Sequence, residues 1–120
     1  MPSERQRFGA WAEQRAEDFL RRRGYRILDR HVTSRYGELD LVAEHDGLIV
    51  FIEVKARRSA AMGQAIESVT KKKLESWQQA AETYLQQKDW LERPIRFDVI
   101  TLDHRRPGTL AIRHLKGIGE

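Results

Sequence analysis

Apolar residues recur along this chain with two different periods, one typical of helices and the other of strands. Helical spacing runs from Ser3 to Arg23, where Ser3 is a predicted N-cap and Gly24 a C-terminal stop. A second helix is predicted over residues 65–88. The two predicted buried stripes consist of Phe8, Trp11, Ala12, Ala16, Phe19 and Leu20 in the first helix, and of Ile66, Val69, Leu74, Trp77, Ala81, Tyr84 and Leu85 in the second.

Strand-like stretches account for most of the remaining chain. They are residues 25–32, two stretches within residues 37–58 that meet at Asp46-Gly47, residues 95–102 and residues 109–115. The order of helix, three strands, helix and two strands predicts a single α/β domain over residues 1–120. In this domain the first three strands form a meander, and the second helix is the crossover to a fourth strand of a mixed sheet.

The Asp-Gly pair between the second and third strands is a strong hairpin signal. If these two residues form the whole turn, Asp40 lies directly opposite Glu53, and Glu38 lies opposite Lys55. Side chains alternate along a strand, so all four emerge on one face of the hairpin. The register therefore predicts a cluster of three carboxylates and one amine.

Directly opposed carboxylates repel each other unless something lies between them. The pair formed by Asp40 and Glu53 therefore predicts a bound Mg²⁺ or Mn²⁺ ion, because hard cations take carboxylate oxygens as ligands. Lys55 would point at the same place and stabilise an attacking hydroxide or charge developing on a phosphoryl group. The alternative is a solvated strand face of mixed charge, but the other residues of this face are apolar, which favours a site.

Two further residues are candidates for the edge of this site. Lys73 falls inside the apolar stripe of the second helix, so its amine needs a route to solvent or a partner. The carboxylate cluster or a bound phosphate would supply that partner. Gln64 precedes the helix and is a weaker candidate for the same neighbourhood. The four histidines are scattered without ligand spacing, so no zinc site is predicted.

The net charge indicates which class of partner the protein binds. The net charge of +4 and the pI of about 9.7 are compatible with nucleic acid. The residues placed to contact it are Arg35 and Tyr36 before the second strand, Arg57 and Arg58 after the third, and Lys71 at the second helix. For Arg35 and Tyr36 the alternative is an ordinary surface loop.

The sequence also bears on the compartment. It contains no cysteine, which excludes disulfides and thiolate metal sites. Its N-terminus lacks the apolar segment of a secretory signal, and its longest apolar run is too short for a bilayer. We therefore expect a cytoplasmic protein with no membrane partner.

An ordered set of motifs adds a family resemblance. The motifs are G-x-x-x-E at residues 9–13, GYRIL at 24–28, GELDLVA at 37–43, FIEVKAR at 51–57, the Gly63 region with Lys73, and RFDVI at 96–100. Together they resemble the YraN-like family of uncharacterised bacterial proteins, within the PD-(D/E)xK nuclease superfamily. The resemblance implies a restriction-endonuclease-like three-layer core, with a mixed central sheet of about five strands flanked by helices.

The resemblance also implies roles for individual residues. Asp40 and Glu53 would hold Mg²⁺ or Mn²⁺, with the Val54 carbonyl and Glu13 as further ligands. Glu13 is also explained as an ordinary glutamate on the helix flank, and the two interpretations are evenly balanced. Lys55 and Lys73 match the catalytic and phosphate-holding lysines. Glu38, paired with Lys55 in the predicted register, would orient that lysine. Asp98 in RFDVI is interpreted as structural.

Three functions remain open on the sequence. The leading interpretation is a Mg²⁺- or Mn²⁺-dependent endodeoxyribonuclease, acting on DNA rather than RNA and including branched or damaged DNA, since the superfamily contains Holliday junction resolvases. The second is a nuclease-fold module that binds nucleic acid without cleaving it. The third is an interaction protein whose acidic face receives a basic segment of a partner. A homodimer is left open, because related junction-cutting enzymes act as dimers.

Overall fold

The structure of the chain is a computed structural model that describes residues 1–57, 69–106 and 109–120. Arg58, Gln64 and the first residues of the predicted second helix lie outside the described residues. The elements are helix α1 (Glu4–Arg22), strands β1 (Arg26–Ser34), β2 (Gly37–His45) and β3 (Leu48–Arg57), helix α2 (Lys71–Lys88), and strands β4 (Ile95–Arg106) and β5 (Thr109–Leu115).

The five strands form one mixed sheet in the order β1-β2-β3-β4-β5. All neighbouring pairs are antiparallel except β3 and β4, which are parallel and are connected through α2. The predicted meander and crossover are therefore confirmed. A parallel pair needs such a crossover connection, whereas antiparallel neighbours are joined by short turns.

The helices cover the two faces of the sheet. One core cluster packs Ala12, Ala16 and Leu20 of α1 against the sheet, and the other packs Ala81 and Tyr84 of α2 against the opposite face. Alternate residues of β3 contribute to each cluster, as the period of a strand requires. The result is the α/β arrangement of helix, sheet and helix that a restriction-endonuclease-like fold requires. Neither helix, among the residues described, is long and apolar enough to cross a membrane.

Helix α1 begins and ends as predicted. Ser3 and Gln6 form a reciprocal capping box, and Gly24 adopts a φ of +86° after the last turn. The predicted buried stripe is wrong at Trp11, which is 37% exposed. The residue that is buried instead is Glu17, whose carboxylate accepts two hydrogen bonds from Arg30 at 2.6 and 2.7 Å. This pairing explains how a glutamate can replace an apolar side chain beneath the helix.

Helix α2 begins at Lys71 rather than at residue 65. Thr70 is its N-cap, with extended backbone and a hydroxyl that accepts a hydrogen bond from the Lys73 N–H at 3.1 Å. The helix ends at Asp89, which has the left-handed φ of +60°. The later start moves Val69 out of the predicted stripe and leaves Trp77 as the first fully buried side chain of the helix.

Candidate active site

The hairpin of β2 and β3 has the predicted register, and its ladder stops beside the predicted site. Asp46 and Gly47 both have positive φ, 50° and 82°, as a two-residue turn of this kind requires. The backbone ladder runs from His45 opposite Leu48 to Leu41 opposite Ile52 and extends no further. Gly37–Asp40 therefore continues β2 without pairing to β3.

Where this backbone ladder ends, the next hydrogen bond between the two strands is made by the side chain of Asp40. The Val54 N–H donates a hydrogen bond to Asp40 Oδ2 at 2.9 Å. The carboxylate thus replaces the backbone carbonyl that would otherwise accept from Val54. This contact holds Asp40 against β3 although the backbone pairing of the two strands has stopped.

Asp40 and Glu53 line the same small cavity, consistent with the predicted register. Burial raises the pKa of Glu53, the neighbouring Asp40 carboxyl raises it further, and Lys73 and Lys55 oppose both, so that the resulting pKa is about 8. Glu53 therefore retains a proton near neutral pH when no cation is bound. A proton retained on one of two neighbouring carboxyl groups is expected when like charges are held together.

Two amines act on this pair of carboxyl groups. Lys73 of α2 lies near enough to Lys55 of β3 to affect its pKa, and the charges of both lysines act on Glu53. Burial lowers the pKa of Lys55, and the adjacent Lys73 lowers it further. The Lys73 amine also lies 5.4 Å from the centroid of the Trp77 ring. Lys73 is half-buried, and its role at the edge of the site stays a prediction.

A second acidic group lies on the α1 side of Asp40. His31 of β1 is positioned between Glu13 and Glu38, with its two ring nitrogens 3.0 Å from a carboxylate oxygen of each. The buried Glu13 Oε2 has no hydrogen bond of acceptable geometry. Burial raises the pKa of Glu13, the charge of His31 opposes this, and the charge of Asp40 adds to it. The sequence analysis did not identify His31, since an isolated histidine carries no spacing signal.

The predicted pairing of Glu38 with Lys55 is wrong. Glu38 is paired with Thr33 in the ladder between β1 and β2, and its side chain contacts His31. The reason is the early end of the other ladder, because β2 beyond Asp40 is no longer aligned with β3 by backbone hydrogen bonds. His31 itself has a φ of +50°, a strained value for a residue with a side chain.

The described residues among those predicted to contact nucleic acid lie in the turn before β2, at the end of β3 and at the start of α2. Arg35 and Tyr36 form the turn before β2, where the guanidinium lies 4.9 Å from the Tyr36 ring centroid and donates to its hydroxyl at 2.6 Å. Arg57 is exposed at the end of β3, and Lys71 is exposed at the start of α2. Arg58 lies outside the described residues.

No three histidine or acidic side chains already converge as a metal-binding group in the described parts of the chain. The acidic groups instead interact with one another, with His31 or with the Val54 N–H. Any cation would therefore replace an existing proton or hydrogen bond at Asp40 and Glu53.

The five-stranded mixed sheet between two helices is compatible with the fold of the restriction-endonuclease-like superfamily. The sequence places the chain within that superfamily: a family model described as "Uncharacterised protein family UPF0102" matches residues 12–102. The chain belongs to this family, which is the YraN-like family.

Individual relatives agree with this assignment. A UPF0102 protein of Syntrophomonas wolfei is 46% identical over 94 residues, covering 78% of this chain and 82% of its own length. A UPF0102 protein of Corynebacterium efficiens is 42% identical over 122 residues, covering 100% of this chain and 98% of its own length. A UPF0102 protein of Myxococcus xanthus is 43% identical over 101 residues, covering 84% and 80%.

Proposed function

We propose that this protein is a metal-dependent endonuclease that hydrolyses phosphodiester bonds in DNA. One observation supports this most directly: Asp40 and Glu53 line one small cavity with Trp77, and the amine of Lys73, which lies over the Trp77 ring, acts electrostatically on Glu53 together with Lys55. Like charges held this close are unfavourable unless a ligand of opposite charge is bound there. A cation next to a phosphate is the ligand pair that relieves both repulsions, between the carboxylates and between the amines.

The residues present fit a divalent cation. Asp40 and Glu53 supply carboxylate oxygens, the donors that Mg²⁺ and Mn²⁺ prefer. The buried Glu13 Oε2, which lacks a hydrogen bond, is a further oxygen beside Asp40. Bound at these carboxylates, Mg²⁺ or Mn²⁺ supplies a Lewis acid and lowers the pKa of an attacking water.

The remaining roles, which are to orient Asp40, to stabilise charge and to hold the phosphate, fall to residues of the chain. The Val54 N–H fixes the orientation of the Asp40 carboxylate. Lys55 lies beside Glu53 and stabilises the attacking hydroxide or the charge that develops on the phosphoryl oxygens. Lys73, in the first turn of α2, holds the same phosphate together with Lys55. Membership of a nuclease superfamily supports DNA as the source of that phosphate, by analogy of fold.

Cleavage of labelled DNA tests the proposal. Duplex, single-stranded, flap and four-way-junction DNA would be incubated with Mg²⁺, Mn²⁺ or EDTA, using the wild type, Asp40→Asn and Glu53→Ala. Exposed Glu92→Gln serves as the control for a change of charge away from the site.

We expect metal-dependent cutting by the wild type and the control, and loss of cutting in the two site variants. Cutting by Asp40→Asn at the wild-type rate would refute the assignment. DNA binding that needs no metal, with no cutting of any substrate, would instead favour the nucleic-acid-binding module.

A further inference from the structure

A polar groove of about 640 Å³ lies between helix α2, which also carries Lys73, and the turn that precedes β2, the strand of Asp40. One wall is the turn between β1 and β2, residues 33–36, and the other is the outward face of α2. The wall from α2 presents Gln79, Thr83, Gln86 and Gln87 at the spacing of successive turns. The proposed chemistry uses none of these residues of α2.

The groove differs in charge from the active site. Its side chains are mainly neutral amides and hydroxyls, which both donate and accept hydrogen bonds. The guanidinium of Arg35 and the carboxylate of Glu82 contribute opposite charges to it. A lining of this kind carries no net charge, so it adds no counterion-releasing attraction to phosphates, and its amide and hydroxyl groups match the edges of bases and sugars.

Arg35 is already oriented to donate hydrogen bonds to a base or sugar in the groove. Its stacking on Tyr36 and its hydrogen bond to the Tyr36 hydroxyl fix the guanidinium plane at the groove wall. The remaining N–H groups of a guanidinium can then donate to a ligand with little further loss of conformational freedom.

The position of the groove connects it with the catalytic centre. Tyr36 precedes Asp40 by four residues on the same stretch of chain, and therefore by about 13 Å of extended strand. Gln79 follows Lys73 by six residues of helix, or about 9 Å. Since bases in one strand of a duplex are spaced by about 3.4 Å, the groove begins about three to four nucleotides from a phosphate bound at Lys55 and Lys73.

We propose that this groove binds the nucleotides that flank the cleaved bond, through base and sugar edges rather than phosphates. The inference rests on the proposed function and extends it, because it assigns the part of the protein that selects among DNA structures. Contacts of this kind release no counterions, so they contribute affinity without adding to its salt dependence.

Binding and cleavage by a groove variant test the inference. The variant is Gln79→Ala combined with Gln86→Ala, and its control is Gln78→Ala, a neighbouring exposed glutamine that does not line the groove. Binding would be measured by fluorescence anisotropy in EDTA, with labelled single-stranded and duplex oligodeoxynucleotides over a series of salt concentrations. Cleavage would be measured in Mg²⁺ at saturating enzyme.

The double variant should bind about tenfold more weakly, the effect of losing two neutral hydrogen bonds. The slope of affinity against salt should stay unchanged, and the control should behave as the wild type. Abasic nucleotides placed about three to five positions from the cleaved bond should weaken binding by the wild type and leave the double variant unaffected.

Several outcomes would overturn the inference. If the double variant binds as the control does while the wild type binds and cleaves DNA, the groove has no role and the proposed function stands. A salt slope that falls together with affinity would assign phosphate contacts instead. If the wild type neither binds nor cleaves, both proposals fail. Groove-dependent binding without cleavage would overturn the assignment to nucleotides that flank a cleaved bond and would replace the nuclease by a binding module.

Discussion

The Asp40 carboxylate accepts a hydrogen bond from the backbone N–H of Val54, at the point where β2 stops pairing with β3. This one contact has a structural and a chemical consequence. It satisfies a backbone donor that has lost its ladder partner, and it holds the Asp40 carboxylate against β3, where Asp40 and Glu53 line the same small cavity. The hydrogen bond that closes the ladder between β2 and β3 is therefore also the contact that places Asp40 at the site.

Substitutions at Asp40 should separate its structural contact with Val54 from its chemical role at the site. Asp40→Asn keeps an oxygen that can accept from Val54, so its free energy of unfolding should stay close to that of the wild type. Asp40→Ala removes the acceptor and should lower the free energy of unfolding by about 1–3 kcal/mol. Urea denaturation would measure both variants, and DNA cleavage should be lost in both. Equal stability of the two variants would show that the contact with Val54 does not position the residue.

Local signals explain why the central pair was predictable. Asp46 and Gly47 determine the turn, the turn determines the register, and the register places Asp40 opposite Glu53. Each step depends on residues that are close in sequence. The same logic failed for Glu38, because no local signal shows where a ladder stops.

The parts that could not be predicted depend on packing between distant segments. His31 joins Glu13 to Glu38 only because α1 lies over β1 and because His31 adopts a positive φ. Trp11 has the same helical spacing as the core residues, yet whether it is buried depends on what β4 places next to it. The polar groove combines a turn and a helix face, so no single stretch of sequence reveals it.

A buried ionic network under α1 should control the acid stability of the protein. Burial alone would raise the pKa of Asp98, but hydrogen bonds from His114, Arg96 and the Gly117 N–H outweigh it and lower that pKa. Because the folded-state pKa lies below the ordinary value, the contribution of Asp98 is complete above about pH 4 and is lost as the pH falls below that.

The variant Asp98→Asn tests this network. It leaves the charge of Arg96 without its partner in a buried position and should cost about 3–5 kcal/mol at neutral pH. The difference from the wild type should shrink as the pH falls below about 4 toward the lowered pKa of the wild-type carboxylate. Chemical denaturation over this pH range measures it, and a difference that grows on acidification would contradict the assignment.

Glu53 should have the opposite pH dependence. Its folded-state pKa of about 8 lies above the ordinary value of 4.5, so the folded protein holds a proton that the unfolded chain releases. Folding therefore becomes less favourable as the pH rises from about 5 to 8. Glu53→Gln does not titrate, so in EDTA its stability advantage over the wild type should increase over that range to of order 2 kcal/mol. A constant difference across the range would show that Glu53 titrates normally.

Divalent ions should offset the loss of folding stability that the raised pKa of Glu53 causes in the wild type as the pH rises. Binding of Mg²⁺ or Mn²⁺ requires the Glu53 carboxylate, so it should release up to about one proton near neutral pH. Isothermal titration calorimetry in two buffers of different ionisation enthalpy measures the release directly. Glu53→Gln should bind the ion weakly and release no proton, whereas the exposed Glu92→Gln should match the wild type.

The paired amines should act as a phosphate site that can be measured without catalysis. Lys73→Met keeps the apolar stem against Trp77 but removes the charge beside Lys55, so the pKa of Lys55 should rise, and NMR titration would measure this rise. Inorganic phosphate should raise the denaturation midpoint of the wild type more than that of Lys73→Met, because bound anion relieves the repulsion between the amines. Lys72→Met, an exposed neighbour in the same turn, is the control and should respond as the wild type. Equal stabilisation of Lys73→Met and the wild type would place the phosphate elsewhere.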